Sequence, residues 1–181
     1  MNLEEGKKLV KLARLSINSE ESSYIKNEFN EKRGVFVTLH QYPNMDLRGC
    51  IGFVEPIFSL REAVIRAAKA SAFSDPRFIP VDEKEMKSIV VEVSVLTNPK
   101  KIEDPLNNIK IGKDGLIVGN GLLLPQVCVE QKWGVKTFLE HTCYKSGLDK
   151  NYWKDNDVYK FQAEIFSEIE PNGEVEKCIT S

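Results

Sequence analysis

Histidine is nearly missing from this chain, and cysteine is sparse and scattered. The 181 residues hold two histidines, His40 and His141, and four cysteines, Cys50, Cys128, Cys143 and Cys178. No two cysteines have C-x-x-C spacing, and neither histidine has a second nitrogen or sulfur donor at a familiar local separation. A zinc site is therefore not expected, and no metal is assigned. Free thiols in a reducing, cytoplasmic setting follow. Long apolar runs are missing too. None approaches the ~18 residues of a bilayer span, and nothing ahead of the first helical segment reads as a signal peptide, so no membrane partner is expected. An excess of one charge is also lacking. The formal net charge of −2 disfavours a sequence-independent grip on a phosphate backbone, which makes nucleic acid the least favoured ligand. Lys7, Lys11 and Arg14 share one helical face, but the plain reading of that run is a solvated surface. Walker and dinucleotide fingerprints are absent, Gly112-x-x-Gly115 is too weak a pattern for a phosphate loop, and no cofactor is expected.

What is present is an ordinary globular composition, 41% hydrophobic and 29% charged, at a length suited to one domain or two small lobes. Asn2 and Glu5 have capping-box spacing ahead of the apolar face Leu9, Val10, Leu12, Ala13, which predicts an N-terminal helix. Val35, Val37 and Leu39 alternate with Phe36, Thr38 and His40 as a strand. The turn chemistry of Tyr42–Asp46 then predicts a hairpin with the segment Arg48–Val54. Ser59 and Glu62 open a second helix whose small face (Ala67, Ala68, Ser71) suits close packing on a sheet. A short helix is expected around Asp82–Met86, a strand over Ser88–Leu96 and another over Val158–Ile169. Between those strands, Ile109–Ile111, Leu116–Val118 and Leu122–Leu124 read as a three-stranded meander punctuated by Asp114-Gly115 and Asn120-Gly121. Pro125 suits a helix start, and a helix is expected over about Val135–Lys145, ending at Gly147. Residues ~99–155 thus read as a small lobe inserted into a larger α+β lobe (1–98 plus 156–181), with connections near Asn98–Pro105 and Asn156.

The chemistry concentrates in Leu47-Arg48-Gly49-Cys50-Ile51-Gly52. Residues i and i+2 of a strand share a face, so Arg48 and Cys50 are expected to project together. Gly49 and Gly52 weaken a strand unless a group must approach its backbone. A guanidinium beside the thiol would lower its pKa and make Cys50 a nucleophile; the bland reading is a small buried hydrophobe. His40, on the partner strand, is the candidate base. If Thr38 opposes Cys50, His40 lies beside Arg48 and near the thiol; if Val37 does, it points to the other face. Arg48 must find an anion, in the protein or in a ligand, and Asp75, Arg77 and Glu130 are its candidate partners. Asp75-Pro76-Arg77 is also sound turn chemistry on its own. Trp133 and Phe138 read as core of the small lobe.

Three segments carry a family resemblance: L-R-G-C-I-G at 47–52, S-D-P-R-F at 74–78, and G-L-L-L-P-Q-V at 121–127 with Glu130, Trp133 and T-F-L at 137–139. Together they resemble the AMMECR domain family over roughly residues 5–170. That resemblance implies an α+β fold of two subdomains, each with an antiparallel sheet, the larger holding both termini and the hexapeptide facing a cleft between them. It implies no established activity. Relatives accompany, or are fused to, Memo-type and radical-SAM domains, which suggests pathway partners of those kinds. The chain departs from the family in a short Gly119-Asn120 turn where many relatives carry a longer polar loop. Two readings result: a binding domain for a protein segment or polar ligand, using Arg48, Gly49, Gly52, Asp75, Arg77 and Glu130, or an enzyme of a modification pathway using Cys50 with His40. A non-catalytic adaptor is the third.

Overall fold

A computed structural model describes residues 1–20 and 23–178; positions 179–181, which the large lobe was expected to include, lie outside the described residues. Among the described residues five α-helices run in chain order: α1 (Leu3–Ile17), α2 (Leu60–Phe73), α3 (Pro105–Asn108), α4 (Pro125–Glu130) and α5 (Val135–Lys145). The strands are β1 (Val35–Gln41), β2 (Asp46–Phe53), β3 (Ile89–Leu96), β4 (Lys100–Ile102), β5 (Gly115–Val118), β6 (Gly121–Leu123), β7 (Val158–Phe161), β8 (Ala163–Glu168) and β9 (Val175–Cys178). The described residues divide into two compact units, one of Met1–Leu96 with 164–178, the other Thr97–Ala163. The fold class is α+β.

In the first unit a five-stranded sheet has the order β2-β1-β3-β8-β9. The Asn2 and Glu5 capping box is formed reciprocally and starts α1. Ser59 Oγ accepts the Glu62 N–H at 3.3 Å and starts α2. The two helices bury Leu9, Leu12, Ala13, Leu60, Val64 and Ala67 in one core with Val35, Val37, Leu39, Val91, Val93 and Val95. Because β side chains alternate, Phe36, Thr38 and His40 lie on the opposite face of the sheet. The expected helix at Asp82–Met86 is a single 3-10 turn over Glu85–Ser88, whose Glu85 and Lys84 N–H groups are capped by Asp82 Oδ1.

The second unit carries a four-stranded sheet in the order β4-β7-β5-β6. Its core joins Leu116, Val118, Phe138, Leu139, Cys143 and Val158. Phe138 is buried as expected, while Trp133 is only partly buried and stacks on His141 with centroids 3.9 Å apart.

Three expectations about this region are corrected. Ile109–Ile111 is not a strand. The buried Asp114 carboxylate accepts the Lys110 N–H and closes that segment into a turn, with Lys160 Nζ and Gln162 Nε2 as its other donors. Asp114-Gly115 is therefore no hairpin tip, and β5 pairs instead with β6 and β7. The β5–β6 turn itself is Gly119-Asn120, because Val118 opposes Gly121. The expected single strand Val158–Ile169 is two. Gln162 breaks it by exchanging bonds with Thr97: Thr97 N–H to Gln162 O, and Gln162 N–H to Thr97 Oγ1, both 2.8 Å. β7 consequently belongs to the second sheet, and the boundary falls at Ala163 rather than near Asn156.

Candidate functional site

β2 is an edge strand of the first sheet, and the segment following α2 covers that edge. Cys50 N–H donates to Asp75 Oδ2 at 2.9 Å, and Cys50 O accepts from Arg77 Nη2 at 3.2 Å. Asp75 in turn accepts Arg77 Nε at 2.9 Å and Nη2 at 2.7 Å. An exposed edge invites pairing with another chain, and this loop occupies the backbone groups of Cys50 that would do so. The Asp75 side chain is 1% exposed and Arg77 is 52% exposed. The Arg77 guanidinium holds the Asp75 carboxyl well below the usual carboxylate range, assisted by the Cys50 N–H.

The two glycines of the hexapeptide receive groups from within the unit. A Cβ on Gly49 would land on the Ser71 carbonyl oxygen of α2, and one on Gly52 would land on Val35 O and the Phe36 ring. Ser71 also donates its hydroxyl to Val37 O at 2.7 Å and accepts Ile51 N–H at 2.8 Å, bridging the two strands. The small face of α2 thus does pack as its sequence implies, with Gly49 the point of closest approach.

Thr38 opposes Cys50, the first of the two registers considered, and Thr38 Oγ1 donates to Cys50 Sγ at 3.3 Å. A shift between Leu39 and His40 then alters the expected outcome. Leu39 opposes Gly49 and His40 opposes Leu47, which leaves Arg48 as an extra residue. Bulges re-aim side chains, and Arg48 is re-aimed onto Glu85. Nε donates to Oε1 at 2.5 Å and Nη2 to Oε2 at 3.0 Å, with a further bond from Nη2 to Ile79 O at 2.8 Å. The anion of Arg48 is therefore Glu85, not Asp75 or Glu130. Glu130 is exposed at the end of α4, in the second unit. The cation that acts on the Cys50 thiol is Arg77, and its effect is outweighed. Burial pushes the Cys50 thiol up, so it stays protonated at neutral pH.

The His40 ring lies between two acceptors, Met45 O and the Glu92 carboxylate. Its Nδ1 lies 3.3 Å from Met45 O and its Nε2 lies 3.7 Å from Glu92 Oε2. Both neighbours are acceptors, so the doubly protonated ring suits the site, and Glu92 raises the His40 pKa above its ordinary value. A raised pKa makes this contribution to stability complete below pH ~6.5 and lost as pH rises through the folded-state value. The melting-temperature gap between the native protein and His40→Ala is accordingly expected to be wider at pH 5.5 than at pH 8.5. A gap that does not change with pH would remove the Glu92 contact from the account.

Among the described residues no group of three or more His, Cys, Asp or Glu side chains is placed to hold a metal ion, and no helix is long and apolar enough to cross a membrane. Glu85, Ser71 and Glu92 were not expected at this site. Ser71 had a signal in the small face of α2. Glu85 and Glu92 reach their partners only through tertiary pairing.

Comparison with known proteins bears on the same residues. The AMMECR1 family model matches residues 10–166. The chain belongs to the AMMECR1 family. It is 50% identical to Protein MJ0810 of Methanocaldococcus jannaschii, over 97% of this chain and 96% of that protein. It is 49% identical to Protein PH0010 of Pyrococcus horikoshii, over 96% and 95%. The crystal structure of the uncharacterized protein PH0010 matches with a TM-score of 0.83 at 48% identity, covering 98% of each chain. The family thus fixes the fold, while these names state no activity, so function is read from the site itself.

Proposed function

We propose that this AMMECR1-family protein is a non-covalent binding domain. Its first unit takes an anionic group, from a protein segment or a small polar ligand, at Arg77 beside Cys50. One observation carries this reading: Arg77 is half exposed, yet it is pinned by a fully buried carboxylate. A free surface arginine loses rotamer freedom when it captures a ligand. Here that ordering is complete before the ligand arrives. Cys50 supports the cation through its carbonyl, and burial, which pushes its thiol pKa up, disfavours the thiolate.

The test is a mass-spectrometric metabolite and peptide screen on the native protein, Arg77→Ala and Cys50→Ser. An anionic species retained by the native protein and by Cys50→Ser, but lost from Arg77→Ala, is the expected result. A species retained only through the thiol, or found as a covalent adduct on Cys50, would overturn the reading in favour of nucleophilic chemistry.

A further inference from the structure

Two arginines converge on Phe78, and each keeps a nitrogen that no group among the described residues accepts from. Arg48 Cζ lies 5.6 Å from the Phe78 ring centroid and Arg77 Cζ lies 5.5 Å from it. Arg48 directs Nε and Nη2 to Glu85, and its Nη1 is buried with no hydrogen-bond partner. Its side chain is only 12% exposed. A buried charged donor left unmet is costly, and each such group in a native structure calls for an explanation. Arg77 is half exposed rather than buried, but its bonding is similar. Nε and Nη2 engage Asp75, and no acceptor for its Nη1 is found among the described residues.

The planar two-nitrogen edge of a guanidinium matches a carboxylate. Both edges of that kind are occupied here, one by Glu85 and one by Asp75. What remains on each is Nη1, a single nitrogen with two N–H groups, and the two are carried on different segments, β2 and the loop after α2. A planar carboxylate suits such a pair poorly, whereas a tetrahedral oxyanion accepts single donors from several directions. We infer that the corner formed by Arg48, Phe78 and Arg77 holds a phosphoryl group, with Arg48 Nη1 and Arg77 Nη1 as its donors. The phosphoryl group is that of free phosphate or of a small phosphoester. The segment lying over Arg48 is held there through the Ile79 carbonyl, while the Ile79 side chain is 79% exposed. A ligand oxygen reaches Nη1 when the segment carrying Phe78 and Ile79 lifts from Arg48. This inference rests on the Arg77 reading and adds both the second donor and the ligand class.

Calorimetric titration at low ionic strength tests it, with inorganic phosphate, glycerol 3-phosphate and succinate as probes. Both phosphoryl probes are expected to bind the native protein at least tenfold more tightly than succinate, and the tighter of the two identifies the source. Arg48→Lys keeps a cation for Glu85 but has no Nη1, and should weaken phosphoryl binding at least tenfold. Glu85→Gln releases the Arg48 guanidinium and should tighten binding several-fold, a change that a merely structural arginine would not produce. If Arg77→Ala abolishes binding while Arg48→Lys and Glu85→Gln bind as the native protein does, the Arg77 site stands and the two-arginine assignment falls. If succinate binds through Arg77 and neither phosphoryl probe binds, the phosphoryl assignment falls in the same way.

Discussion

Glu168→Ala is expected to destabilise the first unit by about 3–5 kcal/mol, lowering its melting transition by roughly 10 °C or more. The carboxylate is 4% exposed and its partner Arg14 is 10% exposed. Glu168 Oε1 accepts Arg14 Nε at 2.6 Å, and Oε2 accepts both Arg14 Nη2 at 2.5 Å and the Val91 N–H at 2.9 Å. Arg14 Nη2 also reaches Ile89 O at 2.6 Å. One deletion would strand a buried guanidinium and a strand N–H together. It would also untie α1 from β3 and β8, since Arg14 sits in the last turn of that helix. Thermal and urea denaturation followed by circular dichroism provide the measurement. Glu4→Ala, which removes the exposed Lys7–Glu4 pair, is the control and should leave the transition in place. A Glu168→Ala loss no larger than that of the control would show that the pair is not what fastens α1.

Gly49→Ala should destabilise the first unit by about 2–3 kcal/mol. The added carbon would meet a backbone oxygen rather than the end of a flexible side chain, so α2 itself must move. Moving it also pulls the Ser71 hydroxyl away from Val37 and Ile51. The same substitution at Gly134, where a Cβ meets nothing within 4 Å, should cost under ~1 kcal/mol as a weakened helix cap. Denaturant midpoints of the two variants decide the matter. Equal midpoints would mean that the Ser71 contact relaxes freely.

Local rules carried much of the fold in advance. The Asn2 and Glu5 pair, the alternation of Val35–Leu39 and Ile89–Val95, and Pro125 as a helix start are short-range signals, and each behaved as its residues dictate. The failures have a common cause. Gln162 looks like a continuation of its strand until Thr97, 65 positions away, redirects it, and Lys110 is turned by Asp114, whose carboxylate is held in place by the distant Lys160 and Gln162. The hexapeptide shows the same division. Its glycines signalled close approaches, and the approaching groups are Ser71 O at Gly49 and Val35 O with the Phe36 ring at Gly52. Strand parity put Arg48 with Cys50, but one extra residue in β2 turned the guanidinium toward Glu85, 37 positions away. Local propensity contains nothing that anticipates such a pairing.

The Thr97–Gln162 exchange has an evolutionary corollary. Since two 2.8 Å bonds hold those residues side by side, the two ends of the stretch from Thr97 to Ala163 lie next to each other. A module attached in this way can be gained, lost or traded for another with only a few linking residues, and the host sheet need not change its strand order.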